Sequence, residues 1–321
     1  MEAVLKEIGE LGLVPVVKIE KADDALPLGK ALMEGDLPVA EITFRTAAAE
    51  EAIGILTRQV PELLVGAGTV LTVDQVKKAV DAGAKFIVSP GFNPKVVDYC
   101  VENGIPVTPG LNSPTVLEMA LERGLEVVKF FPAESSGGLK FLKDMAAPYG
   151  VIRFIPTGGI NADNFTAYLA YDRVHACGGS WMVKADLISS RKFEEITRLV
   201  KEAVSRLLGF EFAHLGINEE SEEKALGAAN ELSKLFHFPV KPGTSSVFAG
   251  VDFEVTKKPM LGKKGHIAIA TNNIQRAIAY LKRKSVSILP ETAKEKEGKL
   301  QAVYVATEVS GFAIHLLQKK V

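Results

Sequence analysis

The chain has 321 residues, with 38 basic and 39 acidic side chains and a net charge of −1, and is long enough for a large core and two domains. Basic and acidic residues are interspersed, which argues against a nucleic-acid partner and against attachment to an anionic membrane. No apolar run approaches the roughly 18 residues of a transmembrane helix, no basic signal-peptide start is present, and only two cysteines occur, so a cytoplasmic location is predicted.

Between residue 13 and about residue 180, a short apolar strand, a loop and an amphipathic helix alternate. Capping signals mark helix starts at Thr72, and at Asn93 and Ser113, which each precede a proline. Strands that are apolar throughout indicate a parallel sheet covered on both faces. Eight strand–helix units predict a (β/α)8 TIM barrel, with an open doubly wound sheet as the alternative. The predicted strands are 13–19, 38–45, 63–69, 85–90, 105–109, 126–132, 151–157 and 173–179, and the predicted helices lie near 22–34, 47–59, 73–82, 94–103, 114–123, 138–148 and 162–171.

A helix predicted over 184–208 closes this unit, and the pattern changes at Gly209. The rest of the chain contains two similar halves, each a strand, a helix and further strands, whose first strands (213–217 and 265–269) resemble each other. We therefore predict a barrel over residues 1–208 and, over 210–321, an α+β domain of paired βαβββ modules. The predicted strands there are 212–218, further strands around 239–257, and strands around 266–271, 286–290, 300–306 and 311–318. The predicted helices are 219–236 and 273–284, with a solvated hairpin turn at 294–299.

Lys129 lies in an otherwise apolar predicted strand, in the sequence VVKFFP. Burial disfavours the charged form of a lysine, and a neutral amine can attack a carbonyl carbon. The alternative is a lysine whose ammonium leaves the strand end to meet a carboxylate. The strand alone leaves both interpretations open.

Other polar residues stand at the carboxyl ends of the predicted strands, where a TIM barrel carries its function. Glu41, Thr43 and Arg45 alternate along one strand and are expected on one face, with a structural ion pair as the alternative. The last two strands end in Gly158-Gly159 and Gly178-Gly179, and glycine pairs at these two places together favour a phosphate site over simple turns.

These segments together resemble the class I aldolases for 2-dehydro-3-deoxy-phosphogluconate (KDPG) and 4-hydroxy-2-oxoglutarate (KHG). The resemblance covers about residues 1–208, and its motifs keep their order and spacing. The motifs are EITFRT at 41–46, VGAGTV at 65–70, SPG at 89–91, KFFPAE at 129–134, PTGGI at 156–160 and GGSW at 178–181.

The resemblance implies that Lys129 forms a Schiff base with a keto acid and that Glu41 transfers protons. It also implies a homotrimer, a small keto-acid substrate and no metal for the aldol cleavage. The relative that acts on 2-dehydro-3-deoxy-6-phosphogalactonate uses the same lysine chemistry and is the alternative. The implied substrate-binding residues are Arg45 and Thr69 for the pyruvyl carboxylate, Pro90 and Phe131 for the pocket wall, and Thr157, Gly158, Gly159 and Ser180 at the phosphate loops.

The second domain resembles the vicinal-oxygen-chelate (glyoxalase I-like) superfamily, in which the first and last strands of each module hold a metal. The matching positions are His214, Glu254, His266 and His315, the last of which is commonly Glu in metal-binding members. Three imidazoles and a carboxylate are suited to Zn²⁺ or Ni²⁺. The resemblance thus implies a metal-dependent or small-molecule-binding function, and the alternative is a domain without metal that serves packing, assembly or metabolite sensing.

Overall fold

The computed structural model describes residues 1–320 and divides the chain into two compact units, Met1–Leu207 and a second unit that begins at Leu208. Within residues 1–320, no helix is both long and apolar enough to cross a lipid bilayer.

The first unit is an eight-stranded parallel barrel, which confirms the predicted TIM-like fold. The strands are β1 (Leu13–Val17), β2 (Val39–Thr43), β3 (Leu64–Gly68), β4 (Phe86–Ser89), β5 (Val107–Leu111), β6 (Val127–Phe130), β7 (Arg153–Pro156) and β8 (Cys177–Gly179). Strand order is β7-β6-β5-β4-β3-β2-β1-β8, and parallel bridges from Phe154 to Val174 and from Thr157 to Gly178 join the two ends. Every residue of these eight strands is buried except the first residue of β7 and one residue of β1, as expected for strands covered on both faces.

Helices alternate with these strands, and side chains cap the first turn of two of the three helices whose starts were predicted from capping residues. The side chain of Thr72 accepts a hydrogen bond from the backbone of Gln75, and Asn93 accepts one from Lys95, whereas Ser113 makes no such bond. The helices are α1 (Glu2–Leu11), α2 (Ala25–Glu34), α3 (Ala49–Gln59), α4 (Val73–Asp81), α5 (Pro94–Glu102), α6 (Pro114–Leu121), α7 (Gly138–Ala146), α8 (Phe165–Leu169), α9 (Ala185–Ser189) and α10 (Phe193–Leu208).

The single helix predicted over 184–208 is wrong, because the chain forms two helices there. Arg191 has a left-handed φ of 55°, which interrupts the helical path between α9 and α10. The second piece is strongly amphipathic and buries Ile196 and Val200, so packing of its apolar face maintains it.

Within residues 208–320, the second unit is one eight-stranded mixed sheet with two helices. The first module is β9 (Glu211–Asn218), α11 (Glu222–Phe236), β10 (Val240–Pro242), β11 (Ser246–Ala249) and β12 (Phe253–Thr256), and the second is β13 (Gly265–Thr271), α12 (Ile274–Arg283), β14 (Ile288–Lys296), β15 (Lys299–Val309) and β16 (Phe312–Gln318). The strand order is β10-β11-β12-β9-β13-β16-β15-β14. Each module is βαβββ, as predicted.

The two modules meet at the antiparallel pair β9–β13, and each of these strands also pairs in parallel with the last strand of its own module. The first and last strands of both modules therefore form the centre of the sheet. The predicted turn over 294–299 is too long, since β14 and β15 extend to Lys296 and Lys299. Glu297 and Gly298, both with positive φ, make a two-residue turn.

Candidate active site of the barrel and histidine cluster of the second unit

Lys129 and Glu41 meet inside the barrel. Lys129 on β6 is 5% exposed and Glu41 on β2 is 3% exposed. Nζ of Lys129 lies 3.4 Å from Oε1 of Glu41. Both line a narrow cavity that also contains Thr108 and Thr157. The lysine is thus withheld from bulk water, and the carboxylate it meets is the one we predicted to transfer protons.

Gly68 on β3 makes room for this pair. A Cβ at this position would stand 2.1 Å from Oε1 of Glu41, so any side chain would displace the carboxylate from Lys129. Our sequence reasoning assigned Gly68 no role. The available signal was the spacing Gly66-Ala67-Gly68, which leaves two successive positions on one face of a strand without side chains.

A larger cavity of about 420 Å³ lies at the carboxyl ends of the strands and shares Thr157 with the narrow one. This volume lies within the range of roughly 300–1,000 Å³ that is usual for small-molecule sites. Gly158 and Gly159 have φ values of 92° and 83°, which favour glycine. The predicted residues in its lining are Arg45, Phe131, Thr157, Gly158, Gly159 and Ser180.

Arg45 reaches this cavity from a turn, because β2 ends at Thr43 and does not extend to residue 45 as predicted. Nε of Arg45 donates to Oγ1 of Thr69 at 3.3 Å. Thr69 follows β3 with a φ of 56°, a conformation that is uncommon for a β-branched residue. The threonine hydroxyl thus orients the guanidinium at the rim of the cavity.

Pro90 lies directly after β4 and is absent from the lining of both cavities in residues 1–320. Its carbonyl oxygen stands 2.0 Å from where a Cβ on Gly110 would lie, so Pro90 packs tightly against β5. The structure therefore brings every other predicted substrate residue of the barrel to the cavities or, for Thr69, to Arg45. The pocket-wall role of Pro90 stays a prediction.

Two lysines in the large cavity were missed by sequence reasoning. Lys18 follows β1 and Lys184 follows β8, and both contribute to the lining. The usable signal was position, because Lys18 stands directly after β1 and Lys184 follows the turn that begins after β8.

In the second unit, His214, His266 and His315 lie on the central strands β9, β13 and β16 and are all buried. One ring nitrogen of each histidine lies within 4.8 Å of those of the other two. Oε2 of Glu254, on β12, lies 3.0 Å from Nε2 of His214 and 3.3 Å from Nε2 of His266. Oγ of Ser246 donates to the other carboxylate oxygen at 2.7 Å. The four predicted residues therefore form one cluster.

Register and a glycine create this cluster. Gly216 pairs with Glu254 on one side and with His266 on the other. A Cβ on Gly216 would stand 2.1 Å from the imidazole of His266, so the missing side chain leaves the space that this ring occupies. His214 is two residues away and shares that face.

The pKa values of two groups in the cluster, Glu254 and His315, are lowered from their ordinary values. Burial alone would raise the pKa of Glu254, but hydrogen bonds from the two imidazoles and Ser246 outweigh burial and hold that pKa below its usual range. Burial, together with the neighbouring His266 and His214, lowers the pKa of His315 to about 3. Within residues 1–320, both ring nitrogens of His315 lack a hydrogen-bond partner, and so does Nδ1 of His266.

The barrel, its buried lysine–carboxylate pair and the adjoining cavity lined by Arg45 are the features of a carbon–carbon lyase of the aldolase class. The chain belongs to the KDPG and KHG aldolase family, which it matches over residues 2–199. The 2-dehydro-3-deoxy-phosphogluconate aldolase of Haemophilus influenzae is 48% identical over 203 residues, 63% of this chain and 96% of that protein.

The KHG/KDPG aldolase of Escherichia coli K12 is 42% identical over 192 residues, which are 60% of this chain and 90% of that enzyme. Among solved structures, the KDPG aldolase of Legionella pneumophila, with pyruvate captured as a covalent carbinolamine intermediate, has a TM-score of 0.60 and 36% identity. The aligned residues cover 62% of this chain and 97% of the Legionella pneumophila chain. The family match ends before the second unit.

Proposed function

We propose that this protein is a class I aldolase that cleaves KDPG to pyruvate and glyceraldehyde 3-phosphate, or KHG to pyruvate and glyoxylate. The observation that carries the proposal is the buried contact of 3.4 Å between Lys129 and Glu41. A lysine enclosed in a barrel, with a proton-transfer group beside it, is what Schiff-base chemistry with a keto acid requires.

In this proposal, Nζ of Lys129 attacks the C2 carbonyl of the keto acid and, with loss of water, forms an iminium. Glu41 takes the proton of the C4 hydroxyl as the C3–C4 bond breaks, and the bonding electrons pass into the iminium to give an enamine while the aldehyde leaves. Glu41 then returns a proton to C3, and water releases pyruvate from Lys129.

The rim residues fit the rest of the substrate. Arg45, oriented by Thr69, offers a planar guanidinium to the pyruvyl carboxylate. Gly158, Gly159 and Ser180 line the same cavity and are proposed to receive the phosphate. The phosphogalactonate-directed activity remains the alternative, because it uses the same lysine and the same keto-acid half.

Trapping tests this function directly. Pyruvate and borohydride should leave a stable pyruvyl adduct on Lys129, located by peptide mass spectrometry. The Lys85→Met variant, which alters an exposed lysine before β4, should still form it. An unmodified Lys129 after this treatment would contradict the proposal.

For the second unit, we propose a metal site at His214, Glu254, His266 and His315. The buried nitrogen atoms without partners at His315 and His266 support it, since unsatisfied buried polar atoms are costly. Three imidazoles and a carboxylate fit Zn²⁺ or Ni²⁺, and such an ion would act as a Lewis acid toward an oxygen ligand.

Elemental analysis of protein purified without chelator tests the metal site. One Zn²⁺ or Ni²⁺ per chain is expected, and less than about a tenth of that in the His266→Gln variant. The matched control is His237→Gln, which alters an exposed histidine outside the cluster and should keep the metal. Stoichiometric metal in both His266→Gln and His237→Gln would contradict the assignment.

Assembly and location are also proposed from the family resemblance. We expect a cytoplasmic homotrimer, and light scattering coupled to size exclusion would test the oligomeric state.

A further inference from the structure

The large cavity of the barrel carries an excess of positive charge. Lys18, Arg45 and Lys184 line it, and within residues 1–320 no carboxylate does. Cations that converge on a cavity without acidic partners favour anionic ligands. The three cations differ, however, in how much of their charge is already compensated.

Lys18 is compensated, because its Nζ lies 2.7 Å from Oε1 of Glu20. Arg45 donates a hydrogen bond to the hydroxyl of Thr69, which is a neutral partner. Among residues 1–320, Lys184 has no carboxylate within the 4.0 Å that defines a salt bridge. Two uncompensated cations, a guanidinium and an ammonium, therefore face the cavity.

These two cations stand at different places on the rim. Arg45 follows β2, whereas Lys184 follows β8, and β1 separates these strands in the barrel. Gly158 and Gly159 follow β7, the other neighbour of β8. Lys184 also belongs to the turn after Ser180, in which the backbone N–H of Val183 donates to the carbonyl of Ser180 at 3.1 Å. Lys184 is thus on the side of the glycine pair.

We propose that Lys184 determines the preference of this site for keto acids that carry a phosphate at the end remote from the keto group. The inference rests on the proposed function and adds a residue to it. A phosphate ester carries about −1.5 to −2 charges at pH 7 and is well served by the point charge of a lysine, while the planar Arg45 matches a carboxylate. Lys18 contributes less, because Glu20 offsets it.

The test compares KDPG with the same sugar acid without its phosphate, in the wild type and in Lys184→Gln. We expect kcat/KM for KDPG to fall about tenfold, mostly through KM, and to change less than about twofold for the unphosphorylated acid. Inhibition by inorganic phosphate should weaken in parallel. Lys18→Gln should show a smaller effect, and Lys30→Gln, an exposed lysine of α2, should show none.

An unchanged ratio of the two substrates in Lys184→Gln, or an equal loss for both, would overturn the inference and leave the aldolase function intact. Absence of pyruvate release by the wild type with KDPG, KHG and the unphosphorylated acid would overturn the proposed function itself. The two failures are therefore distinguishable, since one appears in the variant and the other in the wild type.

Discussion

The barrel encloses Lys129 beside Glu41, whereas the second sheet gathers three imidazoles around the single carboxylate of Glu254. In the barrel, the amine of Lys129 and the carboxyl group of Glu41 are buried together and form a hydrogen bond, so the polar atoms of this pair satisfy each other. In the sheet, His315 has no partner for either nitrogen within residues 1–320. The buried polar groups of the barrel are therefore paired, whereas the second unit leaves buried ring nitrogens of His315 and His266 without a hydrogen-bond partner within residues 1–320.

The largest expected effect is on the barrel side. Lys129→Met keeps the length and removes the amine, so pyruvate release should fall by about 10⁵-fold, as when other enzymes lose a covalent nucleophile. A steady-state assay with lactate dehydrogenase measures it, and circular dichroism verifies that the variant folds. Residual activity within about tenfold of wild type would mean that another amine carries the reaction.

Substitution of Glu41 should separate proton transfer from covalent attachment. In Glu41→Gln, we expect kcat to fall by about 10²- to 10⁴-fold, the usual contribution of a general acid–base, because the amide cannot take the C4 hydroxyl proton. The borohydride adduct with pyruvate should still form on Lys129. Loss of the adduct together with activity would show that Glu41 acts mainly by holding the lysine in place.

Loss of the proposed metal site should affect only the second unit. In His315→Gln, we expect the affinity for Zn²⁺ to fall by at least about 100-fold, measured by competition with a chromophoric chelator. Treatment with a strong chelator should leave pyruvate release unchanged, because the lysine mechanism uses no metal. A chelator-sensitive aldolase activity would break the contrast between the two sites.

Acid should lower the free energy of unfolding of the metal-free second unit, which is the smallest of the expected effects. The pKa of His315 is about 3 in the folded chain and near 6.5 when unfolded, so between these values the unfolded chain binds a proton that the folded chain does not. Stability is therefore retained above pH 6.5 and lost as pH falls toward 3, by about 2 kcal/mol at pH 5. Urea titration followed by hydrogen exchange of peptides from β16 would measure the loss, and His315→Gln should reduce it.

Local pattern predicted most of both folds. Alternating apolar strands and capped helices indicated the barrel, and the repeated strand–helix unit indicated the paired modules. The predicted boundaries that were wrong lie where the backbone conformation in the folded chain departs from the periodicity of the sequence. A left-handed Arg191 divides a helix that periodicity makes continuous, and β2 ends at Thr43 although Arg45 continues its alternation. Neither interruption leaves a periodic trace in the sequence.

The sequence by itself determined which groups could supply chemistry: an amine in an apolar strand, glycine pairs at the ends of the last two barrel strands, and histidines on the first and last strands of the paired modules. Only the tertiary structure decided their distances. Closure of the barrel brings Glu41 to Lys129 across 88 residues, and it places Lys18, Arg45 and Lys184, which follow three different strands, in the lining of one cavity. The reason is physical, because burial patterns depend on near neighbours in the chain, whereas contacts between strands depend on register and closure.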